Sequence, residues 1–141
     1  MTVAATLAEL LERGYSLSVE TRVDVHDHKI GPHPVTYADA LVTAGPERVP
    51  DHLREAIVAN KPLLLAAASI LNPPTPWLRD LAGRCKTGAV FVTTGEEHVE
   101  YRITPEVLAA NLAGFVGLNA VEDCGRLEPI VRAALRLTTT S

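Results

Sequence analysis

Apolar and polar side chains alternate along residues 15–25. Every second residue from Tyr15 to Val25 is apolar or threonine, and the residues between them are polar. A period of two over this length predicts a β-strand with one buried face and one solvated face, as in an antiparallel sheet.

Helical spacing of apolar residues predicts helices on both sides of this strand. Residues 2–13 carry leucines three and four positions apart, and Gly14 follows them, as is typical of the residue after a helix. A further helix is predicted from Pro50, and Pro62 must kink or split it, because proline lacks an N–H and its ring clashes with the preceding turn. The apolar face of this helix is predicted to contain Leu53, Ile57 and Val58.

Between the first strand and the helix at Pro50 lie a predicted break and an ambiguous stretch. The run Gly31-Pro32-His33-Pro34 is expected to break the strand. Residues 35–44 fit either state, since their alanines favour a helix whereas their β-branched and aromatic residues favour a strand.

A proline-rich linker at residues 73–76 separates the two halves of the chain. After it the pattern predicts a helix, a β-hairpin formed by residues 89–93 and 99–103 around a turn at Gly95-Glu96-Glu97, and two more helices. The expected fold is therefore α+β, with two small helix–β-hairpin–helix units at residues 1–72 and 77–141, the second packed on the first. The two units are either a divergent internal duplication or the product of convergence.

Composition places the chain among ordinary globular proteins. It has 141 residues, 47% hydrophobic and 21% charged, and a formal net charge of −4, which excludes disorder and does not favour general binding to nucleic acid. Two cysteines exclude a disulfide framework. Neither a signal peptide nor a membrane-length apolar run is evident, so a cytoplasmic protein that does not bind membranes is expected.

Three stretches of the first half resemble a known family. They are Leu7–Gly14 followed by Ser16–Glu20, then Leu41–Ile57, and then Ala59–Leu65 with its Asn-Lys-Pro junction before a leucine run. On these stretches residues 2–71 resemble the TubC-type N-terminal docking domain, a small αββαα module of non-ribosomal peptide synthetase subunits. Residues 22–38 look like an insertion in place of the family's short turn. The chain has no room for the condensation domain that usually follows, so a free-standing protein is expected.

The resemblance implies that a short linear segment of another protein binds along the hairpin, and it leaves a homodimer open. The physics supports such binding, because the edges of a two-stranded hairpin carry unpaired N–H and C=O groups that accept an added strand. The residues expected to face the partner are Ser16, Ser18, Glu20 and Arg22. The alternative interpretation is that this face is merely solvated.

No catalytic residue and no cofactor are predicted, which makes the chain a non-catalytic adaptor. His26 and His28, with Asp24 and His33 nearby, form a pattern that can bind a divalent metal. A solvated hairpin tip is the favoured interpretation, so no metal site is predicted, and a metal-dependent activity is the weaker alternative. The second functional hypothesis is an accessory subunit of a nucleic-acid-processing or mobile-element complex. It rests on a basic face that would combine Arg126, Arg132 and Arg136 with Arg79, Arg84 and Lys86. A solvated helix face is the better interpretation of the first three.

Overall fold

Helices and two antiparallel hairpins make up the computed structural model, which describes residues 2–87, 90–93 and 99–139. The elements in chain order are α1 (Val3–Glu12), β1 (Ser16–His28), β2 (Gly31–Ala44), α2 (Asp51–Ala59), α3 (Lys61–Leu71), α4 (Pro76–Thr87), β3 (Val90–Thr93), β4 (Val99–Arg102), α5 (Pro105–Phe115) and α6 (Cys124–Thr139). The α+β class, beginning with a helix and then a hairpin, is confirmed.

The first hairpin is long because β1 continues beyond the predicted segment 15–25 to His28, and β2 already begins at Gly31, before residues 35–44. β1 pairs with β2 from Ser16 opposite Ala44 to His28 opposite Gly31. Residues 35–44, which fitted either state in the sequence, form part of a strand. Their own propensities are mixed, and pairing with β1 decides the outcome. One register shift occurs where Glu20 faces Ala40 and Thr21 faces Ala38, which leaves Asp39 as a β-bulge.

The predicted break at residues 31–34 is wrong. All four residues belong to β2, and the reversal of the chain occurs at the two residues before them. Gly31 has a φ of 119°, which only glycine adopts without strain, and this residue turns the chain into β2. Prolines are tolerated in an edge strand where their missing N–H would have faced away from the neighbouring strand.

Helix α3 lies at the centre of the core. Its residues from Leu63 to Ile70 are all buried, and it contacts both strands of the first hairpin on one side and α6 on another. The hydrophobic core of the described residues is one cluster that draws on both halves of the chain. The predicted insertion, residues 22–38, extends beyond this cluster except at Ala38, which is buried in it.

The chain divides at Pro62 as predicted, but some helix faces differ from expectation. Asn60 ends α2 and Pro62 lies in the first turn of α3, where its missing N–H costs no helical hydrogen bond. Val58, predicted to be buried, is 79% exposed, because α2 turns only Leu53 fully into the core. The residues between α3 and α4 form the predicted proline-rich connection, although Pro76 itself begins α4.

The second predicted hairpin is also present, since β3 and β4 pair antiparallel from Val90 opposite Arg102 to Thr93 opposite Val99. Its predicted turn at residues 95–97 lies outside the described residues. Across the described ranges, every helix is too short or too polar to cross a bilayer.

Candidate protein-interaction site

The first hairpin continues past the core as an arm, defined here as residues 21–38, whose last residue, Ala38, still belongs to the core cluster. On β1 the side chains that point to the core side at the base of the hairpin continue along the arm as Thr21, Val23 and Val25. Val23 is 60% exposed and Val25 63% exposed, and Ile30 at the tip is 93% exposed. The arm therefore carries the apolar half of an amphipathic ribbon out into solvent, where the described residues do not cover it.

The opposite face of the arm is an ordered polar cluster. The Arg22 guanidinium donates to Asp24 at 3.2 Å and to the bulge residue Asp39 at 3.4 Å, and it lies 5.4 Å from the centre of the Tyr37 ring. The hydrogen bond to Asp24 raises the pKa of Arg22 above its usual value. Nε2 of His26 is 3.1 Å from the Tyr37 hydroxyl oxygen. The contacts with Asp39 and Tyr37 join β1 to β2.

The prolines of β2 show which backbone groups of the hairpin are free. Opposite residues in an antiparallel pair either exchange both backbone hydrogen bonds or direct both groups outward, and the two kinds alternate. Pro34 lies opposite Val25, and Pro32 opposite Asp27. Because proline has no N–H to donate, we assign these two pairs to the outward kind.

The same alternation sets the direction of the remaining backbone groups of β1. Thr21, Val23, Val25 and Asp27 then direct their N–H and C=O groups to the outer edge of β1, whereas the residues between them bond to β2. The outer edge of β2 lacks donors at its two prolines and is therefore poorly suited to accept another strand. Of the two edges, the one on β1 is the better template for an added strand.

The inner end of this edge is closed by the protein itself. Nδ2 of Asn72, at the end of α3, donates to the carbonyl oxygen of Leu17 at 2.6 Å. This contact fits the alternation, which also turns the backbone of Leu17 outward. In the described residues no third strand lies beside β1. The stretch available for pairing therefore runs from Val19 to Asp27 and is called the β1 edge below.

The four predicted partner-facing residues lie together on one face of β1, but they are only part of the site. Ser16, Glu20 and Arg22 are exposed and Ser18 is half-buried. Their backbone groups point to β2, so a partner strand would meet only their side chains. Sequence reasoning missed the outward backbone of Thr21, Val23 and Val25, because only the register of β1 against Pro32 and Pro34 identifies it.

The histidine cluster does not form a metal site in the described residues. His26 and His33 lie opposite each other across the hairpin, and His26 is held by Tyr37. No group of three or more His, Cys, Asp or Glu side chains converges there or elsewhere in the described ranges. The side chain of His28 lies outside what the structure describes. Because its site includes His28, the metal-dependent alternative stays a prediction.

Two arginines of the predicted basic face, Arg126 and Arg132, are engaged with carboxylates. Arg132 donates to Glu106 at 2.7 Å and to Glu128 at 2.8 Å, and Arg126 lies 3.3 Å from Asp123. The Glu106 pKa is lowered, first by its own backbone hydrogen bond, then by Thr104 and more weakly by Arg132. These pairs offset positive charge where a nucleic-acid surface would need it.

Cys85 is a partly buried thiol rather than an activated one. Burial raises its pKa above the usual value, and the Arg132 charge opposes this effect only in part. A raised thiol pKa reduces the fraction of reactive thiolate at neutral pH.

A groove of about 420 Å³ lies between the base of β2 and α2, with Leu41, Val49 and Ile57 among its lining residues. The Tyr15 hydroxyl donates to the Glu47 carbonyl oxygen at 2.8 Å and so fixes the loop between β2 and α2. A Cβ atom at Gly45 would come within 2.3 Å of the Tyr15 ring, which explains why glycine occupies this position.

Comparison of the chain with protein-family models finds no match. The same comparison with curated proteins and with solved structures also finds none.

Proposed function

We propose that this protein is a non-catalytic interaction module whose binding site is the β1 edge. A strand-forming segment of another protein adds alongside residues 19–27 and extends the first hairpin to three strands. The resemblance of residues 2–71 to TubC-type docking domains agrees with this proposal, as does the arrangement of the arm.

The observation that carries the proposal is the difference between the two edges of the arm. One edge lacks donors at Pro32 and Pro34, while the other offers outward N–H and C=O groups at every second residue. Natural proteins commonly protect exposed edge strands with proline, charge or a covering loop. In this protein Pro32 and Pro34 protect the outer edge of β2. On β1 the only such protection among the described residues is the contact of Asn72 with Leu17 at the inner end.

The side chains beside the β1 edge indicate what kind of segment fits. On one face the segment meets Thr21, Val23 and Val25, so alternate residues of the partner are apolar or β-branched. On the other face it meets Arg22 and Asp24, so the intervening residues carry charges of both signs. Main-chain hydrogen bonds supply the affinity, and these side-chain pairs supply the selectivity.

A cytoplasmic location is part of the same proposal. Cys85 and Cys124 are both free thiols, and reducing compartments keep cysteines in this state.

The test compares proline substitutions on the two edges of the full-length chain. Proteins captured from the source cell by the wild type are identified, and their extended segments are synthesised as peptides. We expect Val25→Pro to abolish binding of the peptide, because it removes an outward donor from the β1 edge. Thr36→Pro is the matched control, since it removes the corresponding donor from the β2 edge and is expected to leave binding unchanged.

Amide hydrogen exchange provides the direct readout. In the free protein the amides of Thr21, Val23 and Val25 should exchange fast while those of the residues between them are protected. Adding the peptide should protect the three fast amides. If a bound peptide leaves them unprotected, or if Thr36→Pro rather than Val25→Pro abolishes binding, the proposed site is wrong.

A further inference from the structure

The sequence over residues 20–26, the central part of the β1 edge, is complementary to itself. Reading outward from Val23 in both directions, Arg22 is matched by Asp24, Thr21 by Val25, and Glu20 by His26. An antiparallel partner strand with the same sequence, centred on Val23, would place each of these residues opposite its match. Opposite charges and β-branched pairs directly across an antiparallel ladder are favourable.

We infer that the segment which fits the β1 edge is the β1 edge of a second copy of this chain, paired antiparallel about a two-fold axis at Val23. The inference rests on the proposed function, because it uses the same outward backbone groups. It joins two hairpins into a four-stranded sheet in which β1 lies beside its symmetry mate. An interface of this kind is isologous and therefore closed.

The length of the free edge selects the same axis as the charges do. The edge begins after Leu17, whose carbonyl Asn72 occupies, and β1 ends at His28. The outward residues between these limits run from Val19 to Asp27, and Val23 is the middle one. With the axis at Val23, every outward residue has an outward partner, so each donates one N–H and accepts at one C=O.

Neighbouring registers are worse. An axis at Arg22 places two arginines opposite each other, and an axis at Asp24 does the same for two aspartates; like charges directly opposite are destabilising. An axis at Thr21 pairs Arg22 with Glu20, but it sets Val25 against Leu17, whose backbone is already held by Asn72.

The faces of the sheet agree with this arrangement. One face of the joined strands carries an alternating row of Arg22 and Asp24 from the two copies. The other face brings Val23 beside the Val23 of the second copy, and Val25 beside Thr21. Val23 and Val25 are 60% and 63% exposed in the single chain, and the pairing places a β-branched side chain opposite each of them.

Self-pairing and addition of a foreign strand compete for one edge. A partner segment binds only the fraction of chains whose β1 edge is free, which lowers its apparent affinity by that fraction. The dimer therefore protects the edge from indiscriminate pairing until a better-matched segment displaces the second copy.

Two charge substitutions test the register in the full-length chain by sedimentation velocity. Arg22→Asp places aspartates opposite one another, and Asp24→Arg places arginines opposite one another, so each variant alone is expected to sediment as a 15.1 kDa monomer. An equimolar mixture restores opposite charges in every pair and is expected to sediment as a heterodimer at twice this mass. The wild type is expected to form the homodimer.

A second mixture serves as the control for register. Arg22→Asp would associate with Glu20→Arg only if the axis lay at Thr21, so adding Glu20→Arg is expected to leave the Arg22→Asp chain monomeric. A monomeric wild type up to its solubility limit, a dimer of Arg22→Asp alone or of Asp24→Arg alone, or a first mixture that does not associate would each overturn the inference.

The experiments distinguish failure of self-pairing from failure of the proposed binding of a partner segment. The wild type could be monomeric and still bind a partner peptide that Val25→Pro no longer binds. This result refutes self-pairing and leaves the proposed function standing. A wild-type dimer that Val25→Pro does not dissociate places the interface elsewhere and refutes self-pairing at this edge. Circular dichroism of each variant identifies any loss of association that comes from unfolding.

Discussion

Two proline substitutions in β1 are predicted to have different effects on stability, because the backbone N–H of one residue points to β2 and that of the other points to solvent. Ser18 lies opposite Val42 and neighbours Leu17, whose carbonyl is turned outward to Asn72. By alternation, the N–H of Ser18 is a ladder donor. Val25 lies opposite Pro34, and its N–H makes no ladder bond.

The magnitudes follow from what each proline removes. Ser18→Pro deletes a ladder hydrogen bond and leaves the half-buried Val42 carbonyl without its donor, at a cost of about 1–3 kcal/mol. This loss occurs at the base of the hairpin, where α3 packs against it, so it appears in global unfolding. Val25→Pro removes no such bond and replaces an exposed side chain, so the free energy of unfolding should change by about 0.5 kcal/mol or less.

The assay is chemical and thermal unfolding of both variants and the wild type, followed by circular dichroism. For a chain of this length Ser18→Pro should lower Tm by about 3–12 °C, while Val25→Pro should leave Tm near that of the wild type. The comparison is made at a protein concentration at which the wild type is monomeric, because association also raises Tm. Equal losses in the two variants, or a larger loss in Val25→Pro, would refute the assignment of inward and outward groups.

Three further predictions concern the core, a close contact and a thiol. Leu64→Ala, in the fully buried centre of α3, should lower the free energy of unfolding by about 2–5 kcal/mol in urea titrations, whereas Val58→Ala should change it by about 0.5 kcal/mol or less. Gly45→Ala forces a Cβ to within 2.3 Å of the buried aromatic ring beside it and should lower Tm; a Tm equal to that of the wild type would contradict this contact. Cys85, whose pKa burial raises, should react with iodoacetamide more slowly than a free thiol at neutral pH and should speed up only above the usual thiol range.

Local sequence patterns were sufficient to predict several elements. The alternation over residues 15–25 predicts β1, because a ribbon with one buried face requires a period of two. Pro62 predicts the division between α2 and α3 equally well, since its missing N–H and its ring act within one turn. These inferences need only neighbours close in the chain.

Other features depended on distant partners. Residues 35–44 have mixed propensities, and they are strand because β1 pairs with them. Val58 has the same spacing as a core residue but is exposed, since the angle at which α2 packs decides which positions are covered. Neither outcome is encoded in the pattern of the segment itself.

The candidate site shows the same division. The sequence alone determined that the chain has an amphipathic β-ribbon near its start, with valines on one side and charges on the other. Only the tertiary structure decided which backbone groups of that ribbon are free, because this depends on the pairing of Val25 with Pro34 and on Asn72, which reaches Leu17 from 55 positions along the chain. Hydrogen-bond direction is a property of two strands in register, so one strand's sequence cannot specify it.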